Sequence, residues 1–320
     1  MLMLKPLPLP KPRPFRIKRL PRGKRVTIAA GFSVFDGIVL CADTQETIPG
    51  YVKSNKGKIR VWQDEGLNIA IVGSGDSESI ETLSQLVEGD LVGDYSPTEI
   101  RFPDDYRQKV EKVLLEFFER SIVPYAAFPK EDRPSVDLMI AIMVLNKVNN
   151  YQCLFRATGT TVREIKGDAD CMGTGVTIAK GLIERFYSPF RELDELVIVA
   201  CYIMLHTKKS ADMVGGNTDL VVASFTNKFF GALSSQDVKS LESIFEQFDE
   251  CMADLLIGFA NRNVTQDVFK TLTERVFERM TQERIIASAM GKRLFDVFDR
   301  LKTKPYSEPP VSDSSQSQKP

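Results

Sequence analysis

A threonine opens the first apolar run of the chain at Thr27, an acid follows sixteen residues later at Asp43, and a lysine follows thirty-one residues later at Lys58. Hydroxyl, carboxylate and ammonium are the parts of a nucleophilic site for acyl groups. A threonine hydroxyl attacks poorly until a base takes its proton, and a free α-amino group, with a reference pKa near ~8, is a base that works near neutral pH. If Thr27 began the chain, nucleophile and base would be one residue. Lys58 would set positive charge beside the hydroxyl and lower the pKa of its neighbours, while Asp43 held the ammonium by a charge-assisted hydrogen bond. Gly73 stands at an expected strand-to-helix break, where its N–H could meet an oxyanion with no Cβ in the way, a contact typically worth ~3 to 4 kcal/mol. The same residues also have ordinary readings: Asp43 capping a turn, Lys58 solvated, Gly73 kept for a positive φ. Composition alone does not choose between the two.

Other chemistries have less to work with. The chain has one histidine, His206, which cannot build a multi-His zinc site and is expected as a core or rim residue of a helix. The cysteines Cys41, Cys153, Cys171, Cys201 and Cys251 are far apart, form no CxxC pair and are odd in number, the pattern of reduced core thiols in a cytoplasmic protein. Gly173-Thr174-Gly175 lacks the remaining glycines of a dinucleotide fingerprint, and nothing fits a phosphate loop. No cofactor and no metal are expected. A net charge of -1 argues against a dedicated nucleic-acid or membrane-surface binder, and the longest apolar run, the ten residues from Leu196, is too short to span a membrane.

The elements that must position Thr27, Asp43 and Lys58 follow from periodicity. Val26 to Val34 and Gly37 to Ala42 alternate around the turn Phe35-Asp36-Gly37, a hairpin signature, and Lys58 to Trp62 and Leu67 to Val72 continue what reads as a β-meander. Asp76 or Ser77 then caps a helix whose apolar positions are Ile80, Leu83 and Val87, and residues 104–122 form a second amphipathic helix. Val136 to Leu145, Tyr151 to Arg156 and Thr161 to Ile165 are a second group of strands. Helices from near Val176 and over about Leu193 to Met213 follow, then a strand over Asp219 to Ser224. Grouped strands and grouped helices predict an α+β fold, and two facing sheets with helices outside each, an αββα sandwich of four layers, would use every apolar face. Long helices after Ser235 form a C-terminal helical extension.

The chain therefore divides into a basic, proline-rich extension over 1–26, a main domain over 27–235, a helical extension over 236–302 and a low-complexity tail over 303–320. The first 26 residues hold nine basic side chains and six prolines without an acid, which leaves the remainder at about -10.

Thr27-Ile-Ala-Ala-Gly31, Asp36-Gly37-Ile-Val-Leu-Cys-Ala-Asp43, Thr47, Gly57-Lys58-Ile59 and Ala70-Ile-Val-Gly73 together closely resemble the opening of proteasome β-type subunits and bacterial proteasome-like peptidases. These belong to the N-terminal-nucleophile (Ntn) hydrolases. The resemblance is specific over 27–80 and looser to about residue 230. It implies an Ntn-hydrolase sandwich and a threonine peptidase acting on peptide or other amide bonds. Thr27 would be nucleophile, Asp43 and Lys58 its partners, and Gly73 the oxyanion donor. Thr47 and Ile71 would contact substrate, and Thr174 and Asp212 would be accessory groups, the latter in Lys209-Ser-Ala-Asp-Met-Val-Gly-Gly216, where Val214 replaces the family's serine. Self-association into a homo-oligomer is implied too, with no nucleic-acid or membrane partner. Small-molecule amidohydrolase and non-catalytic subunit are the alternative readings. Val26 stands where self-cleaving precursors carry glycine, so the expected route to a free amine is initiation at a GTG codon for Val26 and removal of that methionine, rather than self-cleavage.

Overall fold

The computed structural model describes residues 27–282, apart from 48–52, 56, 65, 130–132, 147, 149, 213 and 262. The N-terminal extension and the C-terminal tail read from the sequence lie outside the described residues. The fold is α+β, built on two antiparallel five-stranded sheets.

The first hairpin forms as the Asp-Gly turn predicts. Strand β1 (Ile28–Val34) pairs with β2 (Gly37–Asp43), with Val34 opposite Gly37 and Ala29 opposite Ala42. The chain then leaves that sheet. It makes a small ribbon of β3 (Gln45–Thr47) and β4 (Lys53–Asn55), and enters the other sheet at β5 (Ile59–Asp64) and β6 (Leu67–Gly75). The expected single meander is therefore two hairpins in two sheets. Alternation reports which residues share a face, but not which sheet a strand joins.

Helix α1 (Ser77–Gly93) starts where Asp76 accepts the Ser79 N–H at 2.9 Å. Helix α2 (Pro103–Ser121) begins with proline in its first turn and with Asp105 accepting the Phe102 N–H. Strands β7 (Val136–Leu145), β8 (Asn150–Thr158) and β9 (Thr161–Glu164) complete the order β5-β6-β7-β8-β9. Strand β10 (Ala169–Gly173) returns to the first sheet. After α3 (Val176–Phe186) and α4 (Leu193–Ser210), β11 (Thr218–Ser224) and β12 (Phe229–Ala232) complete the order β10-β1-β2-β11-β12. Sequence periodicity does not reveal β10 and β12, which are short and rely on neighbouring strands for their backbone partners.

The long strands distribute alternate residues between different cores. Ile28, Ala30 and Phe32 of β1 pack with Leu196, Ala200 and Met204 of α4, whereas Ala29 joins Ala70, Val72 and Met139 from the other sheet. On the far side Leu138, Ile140 and Ile142 of β7 meet Leu83, Val110 and Phe117 from α1 and α2. Helix α5 (Ser235–Ala260), N-capped by Ser234, buries Val238 and Leu241 in the same core as α4, while Leu256, Ile257 and Phe259 near its end are exposed. Residues 266–282 are helical as well. Among the described residues no helix is long and apolar enough to cross a membrane.

Candidate active site

Thr27 immediately precedes β1, and Asp43 ends β2, so the hairpin register brings these two positions to the same end of the sheet. The β10 backbone crosses just beyond them: Thr174 N–H donates to the Thr27 carbonyl at 2.8 Å. Gly173 makes that passage possible. It sits at φ 101°, and a Cβ there would lie 1.9 Å from the Thr27 carbonyl oxygen.

The Thr27 hydroxyl donates to Asp43 Oδ1 at 2.5 Å and accepts from Lys58 Nζ at 2.6 Å. Lys58 Nζ also donates to Asp43 Oδ1 at 2.7 Å and to the Gln45 carbonyl at 2.7 Å. Three ammonium protons thus have three acceptors. Asp43 is fully buried, and a carboxylate is tolerated there only with compensation. Besides Thr27 and Lys58 it receives the Ile28 N–H on Oδ1 at 3.0 Å and the Gly215 N–H on Oδ2 at 3.2 Å.

Lys58 lies just ahead of β5, one step beyond the last ladder pair, Ile59 with Val72. Gly73 is the next residue on β6, which places it at the same end. Its glycine is required by packing, since a Cβ would lie 2.3 Å from Ile80 in the first turn of α1. The positive φ lies two residues on, at Gly75. Ser74 follows Gly73 towards Thr27: its hydroxyl would sit 3.3 Å from a Cβ on Gly173.

The structure thus brings Thr27, Asp43 and Lys58 into direct contact and Gly73 to their end of the second sheet. Thr174 reaches Thr27 through its backbone. Ile71 is placed elsewhere: it is 1% exposed, with its side chain in the core against α1 and α2, because it shares the helix-facing side of β6 with Leu67 and Ile69. Asp212 lies in the exposed turn after α4, and the residue of that segment that reaches the cluster is Gly215. The Thr47 backbone pairs with Lys53 in the ribbon, and its side chain lies outside the described residues. His206 is on α4, its Nε2 3.1 Å from Asp249 of α5 and its ring against Tyr202.

Two contributors do not stand out in the sequence. Gly215 is three residues from Asp212 but has no side chain to mark it. Asp219 reads only as the start of a strand, yet its Oδ2 accepts the Lys58 N–H at 3.0 Å. Burial holds the Asp219 carboxyl above its ordinary range, partly offset by the Lys58 N–H and ammonium. Its one sequence signal is its place beside an apolar run, where a carboxylate needs a partner.

The loop between α4 and β11 is held from outside the sheet. Lys208 donates to Glu242 of α5 at 2.7 Å and to the Gly216 carbonyl at 3.2 Å, and Thr218 donates to the same Glu242 oxygen at 2.6 Å. Thr218 is the register partner of Asp43. A cavity of about 970 Å³ lies between α3, α4, α5 and the helical residues 266–282, lined by Phe186, Tyr202, Phe245, Phe248 and Phe277 among others; Thr27, Asp43 and Lys58 do not line it. Among the described residues no cluster of His, Cys, Asp or Glu is placed to hold a metal ion.

No protein-family model and no curated protein matches the chain. Solved structures do. Anbu from Yersinia bercovieri, an ancestral beta-subunit, is 13% identical over 75% of this chain and 99% of its own, with a TM-score of 0.57. The Anbu complex of Pseudomonas aeruginosa, a helical assembly, is 14% identical over 72% and 95%, with a TM-score of 0.59. A Gly-1 mutant of Anbu from Hyphomicrobium sp. strain MC1 is 14% identical over 70% and 95%, with a TM-score of 0.57. At such identities the likeness is one of fold. It corrects the resemblance carried by residues 27–80: these neighbours are Anbu proteins, proteasome-like but distinct from proteasome β-type subunits. The motifs behind that resemblance lie mainly on β1, β2 and β6.

Proposed function

We propose that this chain is an Anbu-like Ntn hydrolase that cleaves an amide bond, in a peptide or a small amide, through an acyl-enzyme on Thr27. The observation that carries the reading is the Thr27 hydroxyl held between the Asp43 carboxylate and the Lys58 ammonium, at 2.5 and 2.6 Å. The three separate apolar cores support an αββα layering, with the site at one end of the two sheets.

In this reading the Thr27 amine, once free, takes the hydroxyl proton as Oγ1 attacks the substrate carbonyl carbon. The carbonyl oxygen gains the negative charge and meets the Gly73 N–H. Collapse breaks the C–N bond, the amine's proton goes to the leaving nitrogen, and an ester to Thr27 remains. Water, deprotonated by the same amine, then hydrolyses the ester and restores the hydroxyl. Lys58 stabilises charge on Oγ1 throughout, Asp43 holds Lys58, and Thr174 fixes the Thr27 backbone by its N–H. Self-association belongs to the same proposal, on the pattern of the helical assembly of the Pseudomonas aeruginosa Anbu complex.

The test begins by measuring the mass and N-terminal sequence of the purified protein. A form that starts at Thr27 is then treated with a peptide epoxyketone, which needs both the hydroxyl and the amine of one residue. The expected result is a single adduct on Thr27, absent from Thr27→Ala. A correctly trimmed, folded protein that takes no adduct would overturn the hydrolase reading.

A further inference from the structure

Three charged side chains meet at the start of β5, and two of them are acids. Lys58 donates through its ammonium to Asp43 and through its backbone N–H to Asp219, at 2.7 and 3.0 Å. Asp43 and Asp219 come from adjacent strands: Asp219 is the register partner of Ala42, the residue before Asp43. Lys58 is thus held at two points, its ammonium by Asp43 of β2 and the Thr27 hydroxyl, and its backbone N–H by Asp219 of β11. Among the described residues, the charged groups that act on Asp219 are Lys58 and Asp43.

The choice of residue type at position 219 is informative. Accepting one backbone N–H does not require a charge; an asparagine oxygen would do the same. A half-buried carboxylate instead carries a desolvation cost. Burial is indeed the largest influence on Asp219, and the Asp43 charge adds to it. A charge kept where a neutral acceptor of equal shape would be easier to bury has a use for its field, and among the described residues the cation that acts on it is Lys58.

We propose that Asp219 is a positioning residue for Lys58: its oxygen fixes the backbone from which the lysine side chain reaches Thr27, and its charge holds that lysine in the ammonium form. A neutral lysine would still reach Thr27 but would no longer stabilise charge on Oγ1. The part this plays in turnover rests on the hydrolase reading, whereas the charge relation between the two residues does not.

The experiment is an NMR titration of lysine side chains in the full-length chain labelled with ¹³C-lysine, with the Lys58 signal assigned by its loss in Lys58→Arg. Asp219→Asn keeps an acceptor and removes the charge; Asp219→Ala removes both. In Asp219→Asn the Lys58 ammonium should titrate lower than in the parent by about one pH unit, as expected for loss of a nearby opposite charge. Its backbone N–H should stay protected from hydrogen exchange. In Asp219→Ala the titration should fall likewise, and the N–H should also exchange faster. An unchanged Lys58 titration in Asp219→Asn overturns the proposal, whatever the protein hydrolyses, because it leaves Asp219 only a structural acceptor. A shifted titration in a protein whose Thr27 takes no epoxyketone upholds the proposal and sinks the hydrolase reading instead. If Asp219→Ala fails to fold, Asp219→Asn alone carries the decision.

Discussion

The two five-stranded sheets are made of similar apolar strands but differ in what else they bury. Among the described residues, the sheet of β1 and β2 buries Asp43, Asp170, Thr218 and Ser224 within its strands, and Thr27 at its edge; β5 to β9 bury no charged or hydroxyl side chain. A buried polar group destabilises unless it is paired, so such a concentration persists only where partners are supplied. The other sheet supplies some of them: Lys58, just ahead of β5, for Thr27 and Asp43, and Arg156 of β8 and Arg163 of β9 for Asp170. One sheet carries the polar machinery, and the other is a rigid wall whose end reaches across.

Substitutions that exchange these properties should separate the two halves. The largest effect is expected from Lys58→Met, which leaves Asp43 buried without its cation. Removing one partner of a buried pair typically costs about 3 to 5 kcal/mol, and loss of such a group should slow epoxyketone labelling of Thr27 by about 10² to 10⁴. Denaturant melts and labelling rates measure the two. Ile142→Ala, on the central strand β7 of the apolar sheet and opposite Ile69 rather than Gly73, should cost about 2 to 5 kcal/mol through its cavity and leave the labelling rate of the folded protein unchanged. A slowed rate there would break the division of labour between the sheets. Ser234→Ala removes the N-cap of α5, on the helical side of the first sheet, and should cost about 1 kcal/mol in the same melts.

The smallest effect concerns pH. Burial raises the Asp219 carboxyl, so its charged form is harder to hold in the folded state than in the unfolded chain. Its contribution to stability is then full below the ordinary carboxyl pKa near ~3.9 and is lost as pH rises through the raised value. Asp219→Asn has no such loss, so its melting temperature should gain on the parent as pH rises above about 4. A constant difference across that range would show that Asp219 is ionised as easily folded as unfolded.

Much of this contrast is legible in the order of residues. Alternation around Asp36-Gly37 locates the first hairpin, Asp76 marks the start of α1, and the spacing of Tyr106, Val110, Val113 and Phe117 marks the buried face of α2. Thr27, Asp43 and Lys58, which type and spacing alone leave as one trio among many and which the resemblance over 27–80 picks out, meet within hydrogen-bond distance. What stays hidden depends on the third dimension. Nothing in Ile59 to Val72 states that its hairpin belongs to another sheet, and Ile71 pairs well with either face until α1 is in place. Gly215 acts through a main-chain N–H, which almost any residue type supplies. Asp219 is an ordinary strand residue until the register sets it beside Asp43.

Glu242 gives α5 a hold on a place it never touches. The carboxylate grips Lys208 and Thr218, and through them the turn that delivers Gly215 to Asp43. Rolling that helix by one residue would swing Glu242 through about 100° and let go of both. The outer helix is therefore the last link in a chain of polar contacts that ends on the inner carboxylate.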